Sequence, residues 1–168
     1  MVGKMRVSEQ EESRASQALR WIVDALDRHN VPYQIVGGAA ARAHGAYREL
    51  VDIDIYIPFD EAASLLEEIQ PYVTWGPQHH SGGEWDLTFL KLNYGGQKLE
   101  LGDSSSEPRF FDKKHQRWVE QRIGYERSTT VDLFGFVVKV MPKEELVEYK
   151  AALGREVDRV DLEQIFDG

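Results

Sequence analysis

The segment Asp52-Ile53-Asp54-Ile55-Tyr56-Ile57 alternates an acid or aromatic residue with isoleucine, and Pro58 closes it. An alternation with a period of two predicts a β-strand, whose successive side chains leave opposite faces. Ile53, Ile55 and Ile57 then bury one face, and Asp52 and Asp54 stand side by side on the other. Two carboxylates held that close repel each other unless a cation lies between them. A strand of this kind needs an apolar layer beneath it and a polar place above it. The plain alternative is a pair of solvated acids on an exposed strand face.

Around this strand the chain reads as alternating helices and strands. Leu19, Ile22, Val23 and Leu26 follow the spacing of one buried helical face and predict a helix over 8–30. Residues 33–36 read as a short buried strand, Gly37-Gly38 as a sharp turn, and 39–44 as a short alanine-rich helix stopped by Gly45. A helix over 60–70 follows the aspartate strand, and 75–84, rich in Gly, His and Pro, reads as a loop. Residues 85–93 and 97–101 form an expected hairpin about Gly95-Gly96, and 129–133 and 136–140 a second about Gly135. Helices are expected over 142–153, with Pro142 in the first turn and Gly154 beyond the end, and over 157–166. The expectation is an α/β (α+β) fold, a mixed β-sheet flanked by helices. One domain would span 1–168, with an N-terminal helix inside 1–30 and C-terminal helices inside 142–168 packed on it.

Composition removes several function classes. There is no cysteine, hence no disulfide, thiolate zinc site or thiol nucleophile. A net charge of −9 disfavours a long nucleic-acid duplex, which is held by many phosphate contacts. A small nucleotide that arrives with a divalent metal is compatible with that charge. Residues 1–20 are polar and charged, without the apolar core of a signal peptide, and no apolar run approaches a membrane span. The expectation is a cytoplasmic protein with no membrane partner.

Strand, Gly37-Gly38 and short helix together aim backbone N–H groups at an anion, and the glycines let a phosphate approach closely. Neither the Walker A pattern nor the dinucleotide fingerprint is present. The stretch from Ile35-Val36-Gly37-Gly38 to Asp52-Ile53-Asp54-Ile55 resembles the signature of the DNA polymerase β-like nucleotidyltransferase superfamily. Within it, Gly37-Gly38-Ala39-Ala40-Ala41, His44-Gly45, Arg48 and Asp52-Ile53-Asp54 resemble small bacterial nucleotidyltransferase-like proteins. That group includes abortive-infection toxins and relatives of the aminoglycoside and lincosamide nucleotidyltransferases.

The resemblance implies a nucleotidyltransferase fold and a mechanism with two Mg²⁺ or Mn²⁺ ions held by Asp52, Asp54 and a third acid. Glu100, in Leu99-Glu100-Leu101, is the first choice for the third acid, with Asp103 and Asp132 as rivals. Gly37 and Gly38 would hold the β- and γ-phosphates of a nucleoside triphosphate, and Arg48 and Lys150 would neutralise phosphate charge. Lys150 also reads as a structural lysine that snorkels from the stripe of Leu146, Tyr149 and Leu153. Asp158 and Asp161, one helical turn apart, would orient Arg155 or Lys150, or simply suit a helix N-terminus. The implied reaction moves a nucleoside monophosphate to an unidentified acceptor: a small molecule, a protein side chain or an RNA end. The alternative is a catalytically silent module that serves as a toxin–antitoxin or regulatory partner of another protein. A phosphohydrolase finds little support, because no histidine is linked to the aspartate pair.

The chain departs from the pattern in two places. Leu50 stands where relatives commonly carry threonine, and the segment after Asp103 is not a helical bundle of the kind that binds acceptors. His79-His80 reads as part of a loop, because no other metal ligand has suitable spacing. Residues 108–118 mix aromatics with Arg109, Lys113, Lys114 and Arg117 and read as an amphipathic covering segment.

Overall fold

The structure, a computed structural model, describes residues 7–167. Residues 1–6 and 168, which belong to the expected domain and to the polar N-terminal stretch, lie outside the described residues. The helices are α1 (Val7–Arg28), α2 (Gly37–Ala43), α3 (Ala63–Ile69), α4 (Lys143–Leu153) and α5 (Glu156–Asp167). The strands are β1 (Gln34–Val36), β2 (Asp52–Ile57), β3 (Val73–Gly82), β4 (Trp85–Tyr94) and β5 (Gln97–Asp103). They continue with β6 (Arg109–Asp112), β7 (Arg117–Glu120), β8 (Thr129–Leu133) and β9 (Phe136–Val140).

Among the described residues these strands form one sheet in the order β7-β6-β4-β5-β2-β1-β9-β8, with β3 paired to the free side of β4. The sheet is mixed. β2 runs parallel to β5 and β1 parallel to β9, and the other pairs are antiparallel. The alternation of β2 is realised as expected, with Ile53, Ile55 and Ile57 buried and Asp52 and Asp54 only half-buried on the opposite face. The isoleucines join Leu99 and Leu101 of β5, Leu90 and Leu92 of β4, and Leu19, Ile22 and Leu26 of α1 in one core. Each such side chain contributes about 1.5–3 kcal/mol on burial, which ties α1 to the strands that carry the acids. No described helix is long and apolar enough to cross a membrane.

Two segments differ from expectation. Residues 75–84 are not a loop, because most of them belong to β3, which crosses beside β4 with register shifts at Val73/Trp75 and Trp75/Gln78. The shifts absorb Gly76 and Pro77 and let an otherwise strand-poor sequence pair. Residues 108–118 form most of the β6–β7 hairpin, docked through Trp85 and Asp86 of β4 rather than laid over the sheet as a cover. Backbone hydrogen bonds to β4 decide that, and a sequence pattern does not display them.

Candidate active site

Strand register brings the acids together. In the parallel pair β2–β5, Asp54 lies opposite Glu100, and in the antiparallel pair β1–β2 it lies opposite Val36. Asp52, Asp54 and Glu100 line a cleft of about 340 Å³. Burial, reinforced by the charges of Glu100 and Asp52, pushes the Asp54 carboxyl up to about 7. Glu100 is raised as well, by burial and by the charge of Asp52. The rivals for the third acid stand elsewhere. Asp103 accepts hydrogen bonds from the backbone N–H groups of Phe59 and Ser105, and Asp132 accepts one from Gly135 in the β8–β9 turn.

The helix α2 starts directly at Gly37, with no connecting residue after β1. Gly37 has φ +61°, and a Cβ there would meet Asp54 Oδ2 at 2.6 Å. At Gly38 a Cβ would meet Arg48 Nη2 at 2.8 Å and Leu50 Cδ2 at 3.1 Å. Both glycines thus hold backbone where a side chain would sit, one against the acid pair and one against the loop that leads to it. The ring of His44, at the end of α2, donates through Nε2 to the Met141 carbonyl at 2.8 Å.

Arg48 and Lys150 are found behind this turn. Arg48 Nε and Nη2 donate to Asp161 at 2.6 and 3.0 Å, so the guanidinium stands against Gly38 and is not part of the cleft lining. Lys150 does not snorkel. Its side chain is 1% exposed, and its ammonium pairs with Asp158 at 3.1 Å and Asp161 at 2.8 Å, two carboxylates that are fully buried. Asp158 also accepts from Arg155 Nε and Nη2 at 2.7 and 3.0 Å. Burial alone would raise the Asp158 carboxyl, yet the Arg155 hydrogen bond and the Lys150 charge hold it below its ordinary value. Three cations and two acids thereby join α4 and α5 to the loop before β2. Lys150→Met leaves these acids short of a partner and is expected to cost about 3 kcal/mol in urea unfolding. A loss below about 1 kcal/mol would show that the lysine is not what locks α4 to α5.

Sequence reading missed the opposite wall of the cleft. Trp85, Leu87, Phe89 and Lys91 line it from alternate positions of β4. The Trp85 ring donates from Nε1 to the Tyr149 hydroxyl at 2.9 Å, and the Arg155 guanidinium lies 4.7 Å above that ring. The period-two pattern of 85–91 was visible in the chain. Which way its face turned depended on β4 lying next to β5. His80 also lines the cleft, whereas the exposed His79 pairs with Asp86 at 2.5 Å.

The donor set suits a hard divalent cation. Asp54 Oδ1 is buried without any hydrogen-bond partner, and carboxylate oxygens are the ligands that Mg²⁺ prefers. Among the described residues, no three acidic or imidazole side chains already close on a point as a finished metal cage. The raised Asp54 carboxyl makes a prediction for metal-free protein. Below the ordinary value of 3.8 the group is protonated in both folded and unfolded chains. Between that value and about 7 only the folded chain holds the proton, so its contribution to stability is lost as pH rises through this window. In chelator, the stability difference between parent and Asp54→Asn should fall with pH by up to about 1.4 kcal/mol per unit, and level off above about 7. A flat difference would place the proton elsewhere.

The sequence matches the aminoglycoside-2''-adenylyltransferase family over residues 18–165. No curated protein sequence matches the chain. Among solved structures, it is similar to a candidate nucleotidyltransferase from Thermotoga maritima, with 20% identity and a TM-score of 0.69 over 91% of this chain and 92% of that one. It is also similar to the lincosamide antibiotic adenylyltransferase LnuA in its lincomycin-bound form, with 14% identity and a TM-score of 0.59 over 89% and 95% of the two chains. The antibiotic-resistance factor ANT(2'')-Ia shares 15% identity and a TM-score of 0.54 over 92% and 89%. At these identities the likeness is one of fold.

Proposed function

Because the chain belongs to the aminoglycoside-2''-adenylyltransferase family, we propose that its acidic cleft moves a nucleoside monophosphate, adenylate first, from a nucleoside triphosphate to a hydroxyl of a small molecule. The observation that carries this reading is the register of Asp52, Asp54 and Glu100 on β2 and β5, with one buried carboxylate oxygen left without a partner. Asp52, Asp54 and Glu100 would hold Mg²⁺ or Mn²⁺, two ions by family resemblance. Bound there, the metal neutralises charge on the phosphates and on the attacking oxygen. Gly37 and Gly38 would present backbone N–H groups to the β- and γ-phosphates, and Arg48, bonded to Asp161 and close to Gly38, would support that turn from behind. The acceptor oxygen bonds to the α-phosphorus as the bond to the β-phosphate oxygen breaks. Pyrophosphate leaves with the electron pair, and the hydroxyl proton passes to a Glu100 carboxylate oxygen and then to water. All of this takes place within one domain spanning the chain.

The test is a thermal-shift titration with Mg²⁺ or Mn²⁺ and each of the four nucleoside triphosphates. A ligand at 100 times its Kd that binds only folded protein adds about 2.7 kcal/mol. ATP is expected to stabilise the parent in a metal-dependent way. No shift with any triphosphate would overturn the reading and favour a silent module that binds another protein.

A further inference from the structure

The face of β4 turned toward the acids carries a different chemistry from the acids themselves. Trp85, Leu87 and Phe89 give it an apolar, largely aromatic surface, and Phe89 lies in register with Gly102 of β5. A Cβ at Gly102 would meet the Tyr56 ring at 2.8 Å, so that glycine leaves room for a second ring beside the wall. The charged groups of β4 and Arg155 that line this side are cations, of which Arg155 is also bound to Asp158. Lys91 lies opposite Glu100 in register, and Arg155 caps the Trp85 ring. Among the described residues that line the cleft, the carboxylates are Asp52, Asp54 and Glu100. If these hold metal, none remains to pair with amines of an acceptor.

The order of elements assigns this wall to the acceptor. Across the sheet the cleft runs from the Gly37-Gly38 turn beside β1, over the acids of β2 and β5, to β4 and β3. Phosphoryl transfer proceeds with attacking and leaving oxygens roughly in line. With pyrophosphate leaving toward the glycine turn, the attacking hydroxyl enters from the β4 side. We infer that the acceptor is an uncharged or anionic hydroxyl compound with a flat apolar body, and not a polycationic amino sugar. Stacking on Trp85 and Phe89 would hold its body, and Lys91 and Arg155 would favour a negative substituent and repel a cluster of ammonium groups. This inference rests on the transferase reading above.

Calorimetric titration of the full chain, with Mg²⁺ and an ATP analogue carrying a methylene bridge between the α- and β-phosphorus, separates the two. The probes are p-nitrophenyl β-D-glucuronide, p-nitrophenyl β-D-glucoside and tobramycin. The expected order of affinity is glucuronide, then glucoside, with tobramycin weaker than either. Phe89→Ala should weaken both aryl sugars at least about tenfold. Lys91→Glu should weaken the glucuronide at least about tenfold and improve tobramycin, a reversal that a merely structural residue would not produce. Tobramycin binding tightest, or none of the three binding, overturns the inference. So does a Lys91→Glu protein that loses the analogue instead, since the lysine would then serve the triphosphate. Failure of the analogue to bind the parent in the presence of metal strikes the transferase reading itself.

Discussion

Replacing Asp52 and Asp54 together by asparagine should abolish metal-dependent pyrophosphate release from ATP, by at least about 10³-fold in kcat/KM, and leave the fold intact. Both effects follow from one arrangement. Half-buried carboxylates on one face of β2, beside Glu100 of β5, concentrate negative charge where a cation is needed. Asparagine keeps the shape and one oxygen but removes the charge. The neutral amide also removes the repulsion and the cost of burying a charge that together push Asp54 up to about 7. Metal-free double variant at pH 8 should therefore be more stable than the parent, by about 1–3 kcal/mol, as expected for a relieved buried polar group. Chemical denaturation in chelator measures the gain, and a coupled pyrophosphate assay measures the loss. Retained turnover would sink the assignment of these acids. An unfolded variant would show that they serve structure instead.

Gly37→Ala is expected to lower kcat/KM for the same reaction by about 10²-fold, because a displacement of about 1 Å at reacting groups costs that much. The new methyl would meet the Asp54 side chain at Oδ2, 2.6 Å away, and at Cβ and Cγ, both 3.4 Å away, so the carboxylate itself has to shift. The left-handed φ of +61° adds about 1–2 kcal/mol of strain for an L-residue. Gly38→Ala is the comparison. That methyl meets Arg48 Nη2, which Asp161 holds, and a Leu50 methyl, and it touches none of the three acids, so the loss of turnover there should be smaller than at Gly37. Steady-state kinetics on both variants, with melting temperatures beside them, separate a displaced carboxylate from a weakened fold. Equal losses at the two positions would contradict the close approach of Gly37 to Asp54.

Much of this organisation could be read along the chain, and the exceptions have physical causes. Strand β2 was legible to the residue, because a strand with one buried face repeats every two residues. The C-terminal hairpin was equally plain, with Gly135 in the left-handed region between its two strands. Strand β3 was hidden, since Gly76 and Pro77 fall in a register shift and His79 and His80, which lack strand character, are held by pairing with Thr88 and Leu87 of β4. The spacing of Asp158 and Asp161 already named them as partners of Lys150 or Arg155, but the snorkelling alternative failed because only the α4–α5 packing buries the lysine and both acids together.

What the sequence by itself determined is the local periodicity: which face of β2 is apolar, where two glycines interrupt the chain, and which residues recur at helical or strand spacing. Those properties depend on neighbours a few residues away, and covalent geometry enforces them. The tertiary structure decided what faced what. It set Glu100 beside Asp54, with Asp103 and Asp132 elsewhere, and turned the Trp85 to Lys91 face toward the acids. It also drew Arg48 into the buried charge network behind Gly38. The acid cluster and the Arg48–Asp161 pair join segments far apart in the chain, and the β4 face, although its hairpin with β5 is local, meets the acids of β2 only through sheet order, which no local pattern encodes.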